Sequence, residues 1–304
     1  MNESHHRRLA ALWRFAASVA IWYAAEYLAA AVAGPLYAHH WRGFELVFRC
    51  VSYGLLLAGF SLLIVVADHY EGNPLAYMGL DTRKPWLRDS LAGAAMGAVM
   101  VALAVAVIAI VGSVSFSLTF SYRALGRVGL ELVILLAGAM AEEISFRGYP
   151  FQRMVEAAGP VPAVVLLSLL FGAVHWTNPG SSPFSTLNTA LVGILLCIAY
   201  LRTRALWLPW GIHFGWNFAL GVLFGLPVSG LNDFAVVVHG KARGPHLLTG
   251  GAYGIEASAT GTAVMLVGLG LVVAFTHGRH PGAKPLAVPA DSVDPHSFPT
   301  SQSV

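Results

Sequence analysis

Two adjacent carboxylates followed by an arginine stand near the end of a long apolar stretch of the sequence. The residues are Glu142, Glu143 and Arg147. On a helix, Glu143 and Arg147 lie one turn apart and can form an ion pair, whereas Glu142 points about 100° away from Glu143. The pair neutralises Glu143 and leaves Glu142 free to face a cavity, where a carboxylate can act as a general base. The competing interpretation is an ordinary surface ion pair at the end of a helix.

Two later apolar stretches each carry a histidine with a partner four residues away. Phe171 precedes His175, and His213 precedes Asn217. His213 and Asn217 fall on one helix face and both can donate hydrogen bonds, so together they could hold a developing oxyanion. Alternatively, the two histidines and a carboxylate could bind zinc, because catalytic zinc sites often combine these ligands. A single buried histidine is often only a packed residue, but three pairs at this spacing favour a shared active site.

The elements that would carry these residues are membrane helices. Of the 304 residues, 57% are hydrophobic and only 11% are charged, whereas soluble domains carry about 25% charged residues. Apolar stretches of about 17–25 residues recur, the length that crosses a hydrocarbon layer of about 30 Å. They predict an all-α, polytopic membrane protein of about eight transmembrane helices. The predicted spans lie near residues 10–33, 45–67, 90–113, 126–147, 160–177, 183–201, 205–225 and 257–276.

The rest of the domain organisation follows from the same pattern. Residues 1–9 form a polar N-terminal segment, and residues 10–277 form the transmembrane domain. No small-residue cleavage site follows the first apolar stretch, so we predict a retained helix rather than a signal peptide. The tail at 278–304 is rich in Pro, Ser and His, and its composition predicts disorder.

The distribution of charge predicts the orientation in the membrane. The net charge is +3, but there is no dense Lys/Arg tract, which argues against a nucleic-acid partner. With the N-terminus inside, ten basic residues fall on inner segments and five on outer segments. This bias predicts a multi-pass protein of the cell (cytoplasmic) membrane, in contact with lipid, with both termini in the cytoplasm.

Other polar residues in the spans have structural interpretations. We expect Arg14, Glu26, Arg49 and Glu131 to pair or to extend toward the interface. Cys50 and Cys197 match no metal-binding spacing and are predicted to be small core or lipid-facing residues. The Gly-rich segment 226–256 is either a plain outer loop or a partly re-entrant lid.

The predicted helices could bring the polar residues together. Gly148 and Pro150 predict a break after the fourth span, followed by a short interfacial piece. The fourth and fifth spans are antiparallel, which puts Glu142 and His175 at similar depths. The seventh span enters from the same side near Arg204, and His213 follows nine residues later. We therefore predict one water-accessible pocket below the lipid surface.

The ordered motifs resemble a known family. The patterns Glu142-Glu143-x-x-x-Arg147, Phe171-x-x-x-His175 and His213-x-x-x-Asn217 resemble those of the CAAX protease and bacteriocin-processing (CPBP) family of intramembrane metalloproteases. The resemblance covers residues 126–220, and the run from Gly244 to Glu256 is similar to a subset of bacterial members. It implies a conical active-site cavity inside the helix bundle and an endopeptidase that uses a glutamate-activated water.

The resemblance also implies a role for each matching residue. Glu142 would be the general base, and His175 would help to hold the water or a metal. His213 and Asn217 would stabilise the oxyanion, supported by Glu143, Arg147 and Phe171. Two mechanisms remain open, one with zinc bound by Glu142, His175 and His213 and one without a metal. No serine or cysteine lies in a nucleophile–base arrangement, which disfavours covalent catalysis.

The substrate and two other functional classes also remain open. The predicted substrate is a membrane-associated protein or peptide, and a prenyl group on it is implied only by analogy with eukaryotic members. A first alternative is a non-catalytic immunity or scaffold member of the same fold. A second is a proton-coupled transporter, since buried acids and histidines also form proton relays. Against a transporter, the sequence has no obvious duplicated halves with broken helices.

Overall fold

The computed structural model describes residues 3–38, 44–68, 78–82 and 84–279, and most of them are helical. The helices are α1 (Glu3–Ala38), α2 (Phe44–Asp68), α3 (Trp86–Val111), α4 (Tyr122–Arg147), α5 (Tyr149–Ala158), α6 (Pro160–Val174), α7 (Pro183–Thr203), α8 (Trp207–Phe218), α9 (His246–Thr249) and α10 (Ala259–Phe275). Single 3-10 turns lie at His175–Thr177 and Ile255–Ala257, and a π-helical turn, Ala219–Leu223, continues α8. The predicted disordered tail lies, beyond Arg279, outside the described residues.

The helices have the length and composition of membrane spans. Five helical stretches of the described chain are long and apolar enough to cross a bilayer, namely His5–Leu36, Trp86–Val111, Tyr122–Ala158, Pro160–Thr177 and Pro183–Thr203. Two shorter apolar helices, Cys50–Val66 and Ala259–Phe275, accompany them. Each of the eight predicted spans coincides with a helix. The chain is a multi-pass, helical membrane protein, as the sequence predicted.

The closest helix pair is formed by α3 and α8 through glycines on both sides. The glycines are Gly93 and Gly97 on α3 and Gly211 and Gly215 on α8. A Cβ atom at Gly97 would lie 2.3 Å from the carbonyl oxygen of Ile212, and one at Gly215 would lie 2.2 Å from that of Ala94. Small residues let membrane helices approach to backbone contact. The contact fixes α8, which carries two of the predicted site residues.

The predicted helix break after the fourth span is confirmed. Gly148 ends α4, where its N–H donates to the carbonyls of Glu143 and Ile144, and α5 begins at Tyr149. A Cβ atom at Gly148 would lie 2.4 Å from the carbonyl oxygen of Ile144, so glycine is required for this close turn. The short helix α5 then ends at Gly159, whose φ is 91°.

A small sheet departs from the purely helical prediction. Strand β1 (Ser113–Leu118) pairs antiparallel with β2 (Val238–Arg243), from Ser113 opposite Arg243 to Leu118 opposite Val238. The segment 226–256 is therefore neither a plain loop nor a simple lid, because it holds a strand and the helix α9. Serines alternate with apolar residues along β1, which is the period of a strand. The sequence prediction missed this six-residue alternation because it adjoins a long apolar span.

Polar contacts join α3, α7 and α10 at the N-terminal end of α3, the end away from the sheet. Arg279, after α10, donates to both carboxylate oxygens of Asp89 at 2.9 Å. Arg202, near the end of α7, donates to Thr276. The start of α3 and the ends of α7 and α10 thus lie on one face of the bundle, and the sheet lies on the opposite face. The predicted order of spans requires this arrangement.

Candidate active site

The four predicted catalytic side chains line one cavity of about 480 Å³. Glu142 lies near the C-terminal end of α4, and His175 lies in the turn that follows α6. His213 and Asn217 lie one turn apart on α8. Three separate helices therefore deliver these residues to a shared space inside the bundle.

Glu142 faces both histidines across a short gap. Its Oε2 atom lies 3.9 Å from Nε2 of His175 and 3.8 Å from Nε2 of His213. The same oxygen is buried and has no hydrogen-bond partner among the described residues. Polar atoms separated by more than 3.5 Å are commonly bridged by a water molecule. The three atoms therefore form a ready place for a single water.

The orientation of His175 is set by its own helix. Its Nδ1 atom lies 2.8 Å from the carbonyl oxygen of Phe171. Because a carbonyl can only accept, Nδ1 carries the proton of this hydrogen bond. In the neutral ring Nε2 is then an acceptor, and it points at the gap beside Glu142.

Glu143 holds two partners deep inside the protein. Its Oε1 atom accepts a hydrogen bond from Arg147 at 3.1 Å and another from Nδ1 of His213 at 2.8 Å. The side chains of Glu143 and Arg147 are both fully buried. The predicted ion pair between them is confirmed, while the contact with His213 was not predicted. A carboxylate at Nδ1 orients the imidazole and stabilises its doubly protonated form.

Phe171 packs at the centre of this arrangement. The Arg147 guanidinium lies 4.1 Å from the centre of its ring, a cation–π distance. The ring centres of His175 and His213 lie 4.8 and 6.0 Å away. Phe171 therefore separates and supports the two imidazoles without a polar role of its own.

Asn217 completes the wall on α8. It lies one turn after His213 and is half-buried at the cavity surface. Its amide can donate a hydrogen bond into the same space as Nε2 of His213. The predicted donor pair is therefore present in the cavity.

Sequence reasoning missed a second buried carboxyl group at the cavity wall. Oε1 of Glu256 accepts from Nε1 of Trp216 at 3.1 Å, and Oε2 accepts from the backbone N–H of Ser229. Burial raises the pKa of Glu256, and the hydrogen bonds from Ser229 counteract part of that rise. The Gly-rich run that ends at Glu256 was a signal for it, but nothing local linked that run to the cavity.

The other polar residues have mixed outcomes. Glu131 forms the expected ion pair with Arg127, at 3.6 Å. Glu26, expected to be structural, accepts a hydrogen bond from Ser52 on α2 and also lines the cavity. Cys197 is fully buried and Cys50 is exposed on the apolar helix α2, in agreement with the predicted core or lipid-facing positions. The side chain of Arg49 lies outside the described part of the chain.

The predicted zinc ligands can be tested against the spacing of a metal site. Ligand atoms around tetrahedral zinc lie about 3.3–3.6 Å from one another, given bonds of about 2.0–2.2 Å. Both histidine nitrogens lie farther than this from Glu142, at 3.8 and 3.9 Å. In the described ranges, no group of three or more His, Cys, Asp or Glu side chains is arranged to hold a metal ion. Zinc binding by Glu142, His175 and His213 would need shorter separations than these, and the zinc site stays a prediction.

Comparison with known proteins agrees with the geometry. A family model described as type II CAAX prenyl endopeptidase Rce1-like matches residues 124–219. No curated protein and no solved structure matches the chain. The matched segment runs from the start of α4 to just beyond α8, so it contains all four side chains that meet in the cavity. The match covers about a third of the chain, and over this segment the chain is similar to the type II CAAX prenyl endopeptidases.

Proposed function

We propose that this protein is an intramembrane endopeptidase that hydrolyses a peptide bond with a water activated by Glu142. The observation that carries the proposal is the buried, unpartnered Oε2 atom of Glu142 opposite two histidine nitrogens. A carboxylate in that position can accept a proton from a water held in the gap. The match of residues 124–219 to an endopeptidase family model supports the same reaction class.

In the first step, Glu142 accepts a proton from the water as the water oxygen bonds to the carbonyl carbon of the scissile peptide. Nε2 of His175 accepts a hydrogen bond from the remaining water proton and so aligns it. The carbonyl oxygen becomes an oxyanion, which accepts hydrogen bonds from Nε2–H of His213 and the amide of Asn217. The contact between Glu143 and His213 favours the imidazolium that this donation needs.

In the second step, the tetrahedral intermediate collapses and the C–N bond breaks. The electron pair of that bond moves to the nitrogen, and Glu142 returns its proton to the same atom. The products are a free amine and a carboxylic acid, which then loses its proton. No covalent bond to the protein forms, and every proton is accounted for by the water and Glu142.

The surroundings of the cavity support a membrane-associated substrate. Most of its lining is apolar, including Trp22, Phe48, Leu195 and Met265, and α1, which supplies Trp22, is among the apolar spanning stretches. A lipid-modified or apolar peptide would enter a cavity with such walls at a small desolvation cost, because it carries few polar groups to be buried. We place the protein in the cytoplasmic membrane with both termini in the cytoplasm, on the basis of the positive-inside charge distribution.

The test uses purified protein in lipid vesicles. Two quenched fluorescent peptides serve as probes, one with a prenylated cysteine three residues before its C-terminus and one without the lipid. We expect wild-type protein to cleave at least one probe, and Glu142→Ala and His213→Ala each to abolish cleavage at normal yield. Cleavage of neither probe by folded wild-type protein, or cleavage that persists in both variants, would contradict the proposal and favour a non-catalytic member of the family.

A further inference from the structure

One buried carboxyl group of the cavity has no role in the proposed reaction. Glu256 lies just before α10, outside the segment that matches the family model, and is 8% exposed. Both of its side-chain oxygens already accept hydrogen bonds from protein donors. Glu256 is therefore held in place, unlike Glu142, whose Oε2 is unpartnered. This difference argues against Glu256 as a second general base and in favour of a structural link between its two hydrogen-bond partners, Trp216 and Ser229.

The first of its bonds reaches the oxyanion helix. Trp216 lies between His213 and Asn217 on α8, is 6% exposed, and donates from its indole nitrogen to Glu256. The bond opposes any rotation of the α8 turn that presents the two donors. On a neighbouring face of the same helix, Gly215 packs directly against α3. The turn is thus held by contacts on two of its faces.

The second bond reaches the turn that carries His175. The backbone N–H of Ser229 donates to Glu256, while its carbonyl accepts from the side chain of Asn178 at 3.0 Å. Asn178 directly follows the 3-10 turn His175–Thr177. Ser229 itself has a φ of 48°, a left-handed conformation that a non-glycine residue keeps only where its surroundings impose it.

We propose that Glu256 is a positioning residue that ties the two halves of the active site together. Through Trp216 it fixes the oxyanion donors, and through Ser229 and Asn178 it fixes the segment behind His175. The inference rests on the proposed function, because it assigns Glu256 to the same hydrolysis. A displacement of about 1 Å in such a constellation can lower the rate about 10²-fold, so loss of the connection should affect catalysis more than binding.

The test compares Glu256→Gln, Trp216→Phe and the double variant in the vesicle assay. In Glu256→Gln, the side-chain amide keeps only one acceptor oxygen, so its N–H₂ group faces one of the two N–H donors and that hydrogen bond is lost. In Trp216→Phe, the indole donor is removed. We expect each single variant to lower kcat about 10- to 100-fold with KM within about threefold. The double variant should be hardly worse than either single one, because both break one connection. Glu131→Gln, a buried glutamate away from the cavity, should match wild type.

A second readout needs no peptide probe. Val228 is 5% exposed beside Ser229, and a Val228→Cys variant in a Cys50→Ser background offers a thiol that reports opening of this segment. We expect Glu256→Gln to speed its labelling by a water-soluble maleimide at least about fivefold, with no change from Glu142→Gln.

The outcomes separate the two proposals. If Glu142→Gln still cleaves, the proposed function fails, whatever Glu256 does. If Glu142→Gln is inactive but Glu256→Gln shows wild-type kcat and labelling, only the positioning role fails. Rate losses that multiply in the double variant, or a change confined to KM, would also overturn that role.

Discussion

Nδ1 of His213 and Oε1 of Glu143 lie 2.8 Å apart, so the second glutamate of the motif is hydrogen-bonded to His213 as well as to Arg147. The pairing on α4 therefore does more than neutralise a charge. It leaves Nε2 of His213 facing the cavity, at 3.8 Å from Glu142.

We expect Glu143→Gln to lower kcat by about 10²–10⁴-fold, because the amide no longer stabilises the imidazolium of His213. The change also leaves the buried guanidinium of Arg147 without its counter-charge, which costs about 3–5 kcal/mol. A Glu143→Gln/Arg147→Gln double variant removes that charge imbalance. It should recover thermal stability but not peptide cleavage, and recovered cleavage would show that Glu143 acts only as a counter-charge.

The glycine contact between α3 and α8 predicts a selective loss of stability. Gly215→Ala places a methyl group 2.2 Å from the carbonyl oxygen of Ala94, so the helices must separate. Overpacking of this kind costs about 1–3 kcal/mol. Thermal unfolding in detergent measures the effect.

The matched control for that substitution is Gly129→Ala on α4, where a Cβ atom meets nothing within 4 Å. There we expect no loss, or a gain of about 0.5–1 kcal/mol from helix propensity. Equal melting temperatures for Gly215→Ala and wild type would contradict the close contact.

Particular residues show how far the sequence could be interpreted. The pair Glu143–Arg147 and the break at Gly148 depend on neighbours within one helix turn, and local periodicity predicted both. The contact between Glu256 and Trp216 joins residues 40 positions apart, and no local pattern specifies such a partner. The strand β1 was missed because six residues with period two adjoin a long apolar span.

Metal removal distinguishes the two mechanisms that the motifs allow. Because the gaps from Glu142 to the histidines are longer than those between zinc ligands, we expect cleavage to persist after exhaustive chelation with 1,10-phenanthroline. Elemental analysis of the purified protein should find well under one zinc per chain. Activity lost on chelation and restored by stoichiometric zinc would instead establish the metal site.

Glu256 gives a pH dependence of defined sign. Burial raises its pKa above the ordinary value of 4.5, so the folded protein binds a proton more tightly there than the unfolded chain does. The resulting stability is complete below pH 4.5 and is lost as pH rises through the folded-state pKa. We expect Glu256→Gln to lose less stability than wild type as the pH is raised from 4.5 toward neutrality, measured by thermal unfolding. Parallel stability curves for the two proteins would refute this.

The central claim is that Glu142 takes a proton from water, and one rate measures it directly. Glu142→Gln preserves the size and polarity of the side chain but cannot accept that proton at neutral pH. In vesicles, with Glu131→Gln as the matched buried control, we expect Glu142→Gln to cleave the peptide probes at least about 10³-fold more slowly than wild type, with unchanged melting temperature. A Glu142→Gln rate within about threefold of wild type would contradict the account.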